Sequence, residues 1–163
     1  MDASSVPTSR PRGGGLLIAA WGLVVLAYAV GFFLASGTAL GRRLEELVGG
    51  SGTGWDKVLH FTGFFLLGLA LFQFFLVVNA VRRGSASQRL PAVASFVLGS
   101  VYAVIHEEGQ ALFPGLVPEA SDVVADVAGL IAAIFLYGLW RSSERALEVA
   151  AVQGRYRNRW NRP

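Results

Sequence analysis

The chain has no cysteine among its 163 residues. Disulfides, thiolate nucleophiles and cysteine-ligated zinc or iron–sulfur sites are thereby excluded. Histidine is nearly as scarce, with two, and charged residues make up only 15% of the chain, against about 25% in a typical soluble domain. So little charge leaves almost no polar surface to cover a water-soluble fold. Internal repeats and long linkers are also missing, so the length suits one compact unit. The formal net charge of +3 could suit nucleic acid, but the arginines form no stripe along a polar face. They sit in short segments between apolar runs, which excludes nucleic acid as a partner and reads as a membrane topology signal.

Apolar runs are what the chain has in abundance, since 53% of it is hydrophobic. The first run spans Gly15 to about Ser36 and carries no charge. The second spans about Val58 to Val81, interrupted by His60, Gln73 and Asn79. The third spans about Leu90 to Phe113 and is apolar until His106-Glu107-Glu108. The fourth spans about Asp122 to Trp140, with Asp122 and Asp126 at its start. A helix rises about 1.5 Å per residue, so roughly 20 residues cross a hydrocarbon core of about 30 Å. Runs one and two meet that length. Runs three and four meet it when their polar ends lie near one interface. Run one exceeds the h-region of a signal peptide, about 7–15 residues, and is expected to stay as an anchor. The expected class is all-α, a polytopic bundle of four transmembrane helices. Residues 1–14 form a disordered N-tail, 15–140 the membrane domain, and 141–163 a basic C-terminal helix and tail, the helix ending near 153 before Gly154.

Orientation follows from the distribution of positive charge. Arg10 and Arg12 lie in the N-tail, and Arg82, Arg83 and Arg89 lie between runs two and three. Arg141, Arg145, Arg155, Arg157, Arg159 and Arg162 lie in the C-tail. Only Arg42, Arg43 and Lys57 fall on the other side. Both termini are therefore expected in the cytoplasm, with loops 37–57 and 114–121 facing outward.

Topology gives the polar residues one address. Asp56, Lys57 and His60 stand at the outer start of the second helix, His106, Glu107 and Gln110 at the outer end of the third, and Asp122 and Asp126 at the outer start of the fourth. Asp56 and His60, His106 and Gln110, and Asp122 and Asp126 are each i,i+4 pairs and share a helix face. Gly129 continues the last of these faces and would let a neighbouring helix approach closely. Ionisable groups within a membrane cost free energy and persist when they pair, line a wet cavity or do chemistry. Simpler roles exist for several of them. Asp56 and Lys57 suit an interface, Asp122 complements a helix dipole, Glu108 faces water, and Gln73 and Asn79 suit hydrogen bonds between helices. Phe113-Pro114-Gly115 is a turn that ends the third helix.

Together these residues resemble the VanZ-like family of small bacterial membrane proteins. Asp56-Lys57-Val58-Leu59-His60-Phe61 matches the family's Asp-Lys-x-x-His-Phe. Glu107, Gln110, Pro114, Gly115, Asp122, Asp126 and Gly129 fall at the spacing of its second part. The resemblance covers about residues 56–130. His106 replaces the usual Asp, and Leu116 replaces the usual Arg, which removes an anion-binding side chain. The resemblance implies a cell-envelope setting in a bacterial inner (plasma) membrane, with an association to glycopeptide antibiotic (teicoplanin) resistance, and no particular reaction.

The leading expectation is an outward-facing site that handles an envelope molecule: a lipid headgroup, a lipid-linked precursor or the antibiotic. The ligand-binding set is Asp56, Lys57, His60, His106, Glu107, Gln110, Asp122 and Asp126. His60, Glu107 and Asp126 are the candidates for catalysis in a rival reading, a membrane hydrolase with or without a metal. A third reading is a structural clamp. His60, His106, Glu107, Asp122 and Asp126 are chemically able to bind a divalent ion, but no motif such as His-Glu-x-x-His is present, so no metal or cofactor is assigned. Membrane lipids are the expected partners, and self-association is left open.

Overall fold

The computed structural model describes residues 13–38, 43, 47, 54–114 and 116–160. Residues 1–12 of the expected N-tail, Arg42, Gly115 and Arg162 fall outside them, and Gly14, expected in that tail, already belongs to the first helix. Four helices are described: α1 (Gly14–Gly37), α2 (Trp55–Arg83), α3 (Arg89–Gln110) and α4 (Ala120–Trp160). All four are long and apolar enough to cross a membrane, which suggests a multi-pass membrane protein.

The ends of the helices follow local chemistry. Gly84 closes α2 at a positive φ of 60°, its N–H donating to the Ala80 carbonyl, as glycine does at helix C-termini. The α2–α3 connection is pinned by Asn79, whose Nδ2 donates to the Ser85 and Ser87 carbonyls at 2.9 and 3.1 Å. Asn79 thus ties down a loop, where the sequence suggested a bond between helices. Gln73 does bond across helices, accepting from the Tyr137 hydroxyl at 2.5 Å. The helix α3 stops at Gln110, and the N–H groups of Leu112 and Phe113 turn back to the carbonyls of Gly109 and Gln110. The turn at Phe113-Pro114 thus follows the helix. The helix α4 departs most from expectation. It runs unbroken through Gly154 to Trp160, 41 residues in all, or about 61 Å, far beyond a membrane's thickness.

The helix α2 lies at the centre and packs against α1, α3 and α4. The core is Phe64, Leu67, Leu71, Ala103 and Leu130. Gly129 carries the closest backbone-to-backbone approach: a Cβ there would meet the Phe61 carbonyl oxygen and, at 2.9 Å, the Phe65 nitrogen. Two tyrosines fasten α1. Tyr28 donates to the Gly63 carbonyl at 2.9 Å, and Tyr102 donates to the Ala29 carbonyl at 2.6 Å. Outward, α1 exposes Leu16, Leu23 and Leu26, α3 exposes Val93, Val97 and Val101, and α4 exposes Ile131, Phe135 and Leu136. Apolar surface of that extent is foreign to a monomer in water and natural in lipid.

Candidate functional site

The site lies at the end of the bundle where α2 begins, α3 ends and α4 begins. Asp56, Lys57 and His60 enter from the first turns of α2. His106, Glu107 and Gln110 enter from the last turns of α3 and are buried. Asp122 and Asp126 enter from α4 and are buried too. All eight residues singled out by the sequence gather at this end of the bundle.

His60 is the hub. Its Nδ1 lies 2.9 Å from Asp126 Oδ1, and its Nε2 lies 3.7 Å from Asp122 Oδ2. The one-turn spacing of Asp122 and Asp126 on α4 lets both face a single imidazole. That approach requires a bare backbone at Gly129, one turn below. Lys57 sits at the rim and gathers three carboxylates: Asp56 at 3.0 Å, Glu119 at 2.8 Å, and Asp122. Glu107 is held from two sides. Gln110 Nε2 donates to its Oε2 at 3.1 Å, and the Glu119 backbone N–H donates to its Oε1.

His106 occupies a different environment, fully buried among aromatic rings. Phe32 stacks on it with centroids 5.0 Å apart, and Phe64 meets it edge-on at 5.6 Å. Its ring also meets that of His60 edge-on, at 5.6 Å. Among the described residues its ring has one hydrogen-bond partner, Ser36 Oγ, 3.0 Å from Nε2. Ser36 already donates its one hydroxyl proton to the Phe33 carbonyl at 2.9 Å. The serine therefore accepts, the proton sits on His106 Nε2, and Nδ1 carries a lone pair. That Nδ1, like Asp126 Oδ2, is buried and has no hydrogen-bond partner among the described residues.

Two residues of the site went unnoticed in the sequence. Glu119 lies in the α3–α4 connection, pairs with Lys57 and orients Glu107 through its backbone. The hydrogen bond from Lys57, and a second from Ser121, hold its carboxyl below the usual range for glutamate. Ser36, at the end of an otherwise uncharged run, fixes the His106 tautomer. A hydroxyl and a lone loop glutamate carry no spacing that marks them beforehand. Glu108, expected to face water, is exposed.

Three groups of side chains bring metal-binding atoms within 4.8 Å of one another: His60, His106 and Asp126; His60, Glu107 and Asp122; and Asp56, Glu119 and Asp122. Below the cluster, α1, α2 and α3 enclose an apolar cleft of about 260 Å³, lined by Val25, Ala29, Leu71, Phe74 and Tyr102 among others. Tyr102 joins the two regions, its ring centroid lying 5.9 Å from that of His106. No family model, curated protein or solved structure matches the chain.

Proposed function

We propose that the chain is a small bacterial inner-membrane protein, with both termini cytoplasmic, whose polar site faces outward and binds the headgroup of a cell-envelope molecule. The observation that carries this reading is the pair of buried atoms, His106 Nδ1 and Asp126 Oδ2, that meet no hydrogen-bond partner among the described residues, inside a cluster built by three helices. A purely structural clamp closes its buried hydrogen bonds upon itself, and among the described residues this cluster does not. Its charge supports the same reading. Asp56, Glu107, Glu119, Asp122 and Asp126 supply five carboxyl groups, and Lys57 is the one ammonium among them. Such a site favours donor-rich groups, an ammonium or sugar hydroxyls, and the apolar cleft suits the chain of a lipid-linked ligand. A lipid headgroup, a lipid-linked precursor and a glycopeptide antibiotic all present such donors. The resemblance to VanZ-like proteins adds an envelope setting.

The pairing of His60 with Asp126 favours membrane hydrolysis as a second reading. A carboxylate that orients an imidazole is a recurring way to prepare a base for water or a hydroxyl. Expression in a susceptible bacterium tests the main reading. The intact chain should raise teicoplanin tolerance, and lipids that co-purify with it should be identifiable by native mass spectrometry. Asp126→Asn should abolish both while the protein still elutes and melts as a folded species. Retention of both effects in the folded variant would overturn the reading.

A further inference from the structure

We propose that His60, His106 and Asp126 bind a divalent metal ion of the zinc class. The inference deepens the headgroup-binding reading by naming what occupies the same site, and it rests on that reading only for the site's purpose. Three observations carry it. One nitrogen or oxygen from each residue lies within 4.8 Å of the others. Ligands about 2.1 Å from a tetrahedral ion lie roughly 3.4 Å apart, so small side-chain rotations close the site. Both His106 and Asp126 are fully buried, each with one acceptor atom that no donor among the described residues meets. Finally, the Ser36 hydroxyl, placed to donate to the Phe33 carbonyl, favours the His106 tautomer with its proton on Nε2, which leaves Nδ1 an electron pair. A metal-binding histidine is commonly prepared in this way, by a partner that holds the proton on its other nitrogen.

The chemistry of the set selects the ion. Two imidazoles and one carboxylate suit zinc and its borderline neighbours better than calcium or magnesium, which favour all-oxygen sites. Three protein ligands leave a fourth position for an outside donor, as in zinc sites that act on ligands. A divalent ion would also offset the negative charge of a cluster in which Lys57 alone faces the carboxylates of Asp56, Glu119 and Asp122.

The test uses the full chain, purified in detergent, stripped with chelator and titrated with Zn²⁺ by calorimetry and with Co²⁺ by visible absorption. About one equivalent should bind, and Co²⁺ should show the intense visible bands of a four-coordinate site. His106→Leu and Asp126→Asn should abolish binding. Ser36→Ala, which frees the His106 tautomer, should weaken it roughly 10–100-fold. Glu108→Gln, at an exposed position outside the cluster, should leave binding unchanged. Binding lost in Glu108→Gln but kept in His106→Leu would overturn the proposal, as would a six-coordinate Co²⁺ spectrum. If one variant fails to fold, the wild-type stoichiometry and spectrum still decide. Absence of Zn²⁺ and Co²⁺ binding, with lipid still co-purifying in an Asp126-dependent way, would sink the metal site alone and leave headgroup binding standing.

Discussion

At the scale of single residues, Asp126 separates structure from function most cleanly. It lies at 0% exposure and holds His60 through Oδ1. Asp126→Ala should leave the buried imidazole unpartnered, at a cost of about 1–3 kcal/mol, visible as a lower melting temperature in detergent. Asp126→Asn keeps an acceptor for His60 and should lose less stability than Asp126→Ala. Both should lose the envelope phenotype equally, because both remove the charge. Equal stability losses from the two variants would mean that His60 is held by the ion pair and not by the hydrogen bond. Glu119 carries the site's pH dependence outside the membrane. Its pKa is lowered from the ordinary glutamate value, first by the hydrogen bond from Lys57 and then by that from Ser121. A depressed folded value adds stability above the unfolded pKa, and that stability is lost as pH falls through the folded one. The rim contact should therefore stay closed at neutral pH and open only below the ordinary glutamate range. Carboxylate-selective infrared bands compared between wild type and Glu119→Gln would show the transition, and its appearance near neutral pH would refute the pairing.

At the scale of the elements, the contact of α4 with α2 decides whether the site forms. Gly129→Ala would drive a Cβ into the Phe61 carbonyl, and overpacking of that kind costs about 1–3 kcal/mol. Gly15→Ala is the control, since nothing lies within 4 Å of its added Cβ, and it should be neutral to slightly stabilising. A Gly129→Ala melting temperature equal to that of Gly15→Ala would show that the two helices are not so closely packed. The role of Gly129 was legible because it lies on the face of Asp122 and Asp126 and has no side chain. The spans were legible too, since long uncharged runs have few other homes. The rest had no periodic signature. Ser36, Glu119 and the loop contacts of Asn79 depend on how distant segments meet, which no local spacing encodes. The end of α4 was misread for another reason: one glycine at 154 weakens a helix by only about 1 kcal/mol, and good helix formers on either side outweigh it. The longer helix carries Arg155, Arg157 and Arg159 within its span, and Arg162 follows. Replacing the four by glutamine should weaken binding of the tail to anionic vesicles by about 1 kcal/mol per arginine near the surface. Unchanged vesicle binding would assign these arginines to topology alone.

At the scale of the whole molecule, the apolar belt and the distribution of charge make one joint statement about orientation. The site end carries Trp55, with Val117 in the connection that follows α3, and the opposite end carries Arg82, Arg83, Arg89 and Arg141, with Trp140 beside them. Tryptophans at both ends are what the two interfaces of a bilayer would favour, and the proposed cytoplasmic placement of the termini rests on the arginines gathered at one end. The absence of cysteine makes this directly measurable, because a single introduced thiol is the only one in the chain. Val117→Cys places that thiol at an exposed position beside the site, and Ala86→Cys places it in the α2–α3 connection at the other end. In intact cells a membrane-impermeant maleimide should label Val117→Cys and spare Ala86→Cys, and after permeabilisation it should label both. The pattern bears on function as well as topology. A site that receives an envelope headgroup has to open to the outer face, whereas a packing clamp works in either orientation. The reverse pattern would turn the carboxylate cluster toward the cytoplasm, and with it would fall the envelope ligand, whatever the site binds.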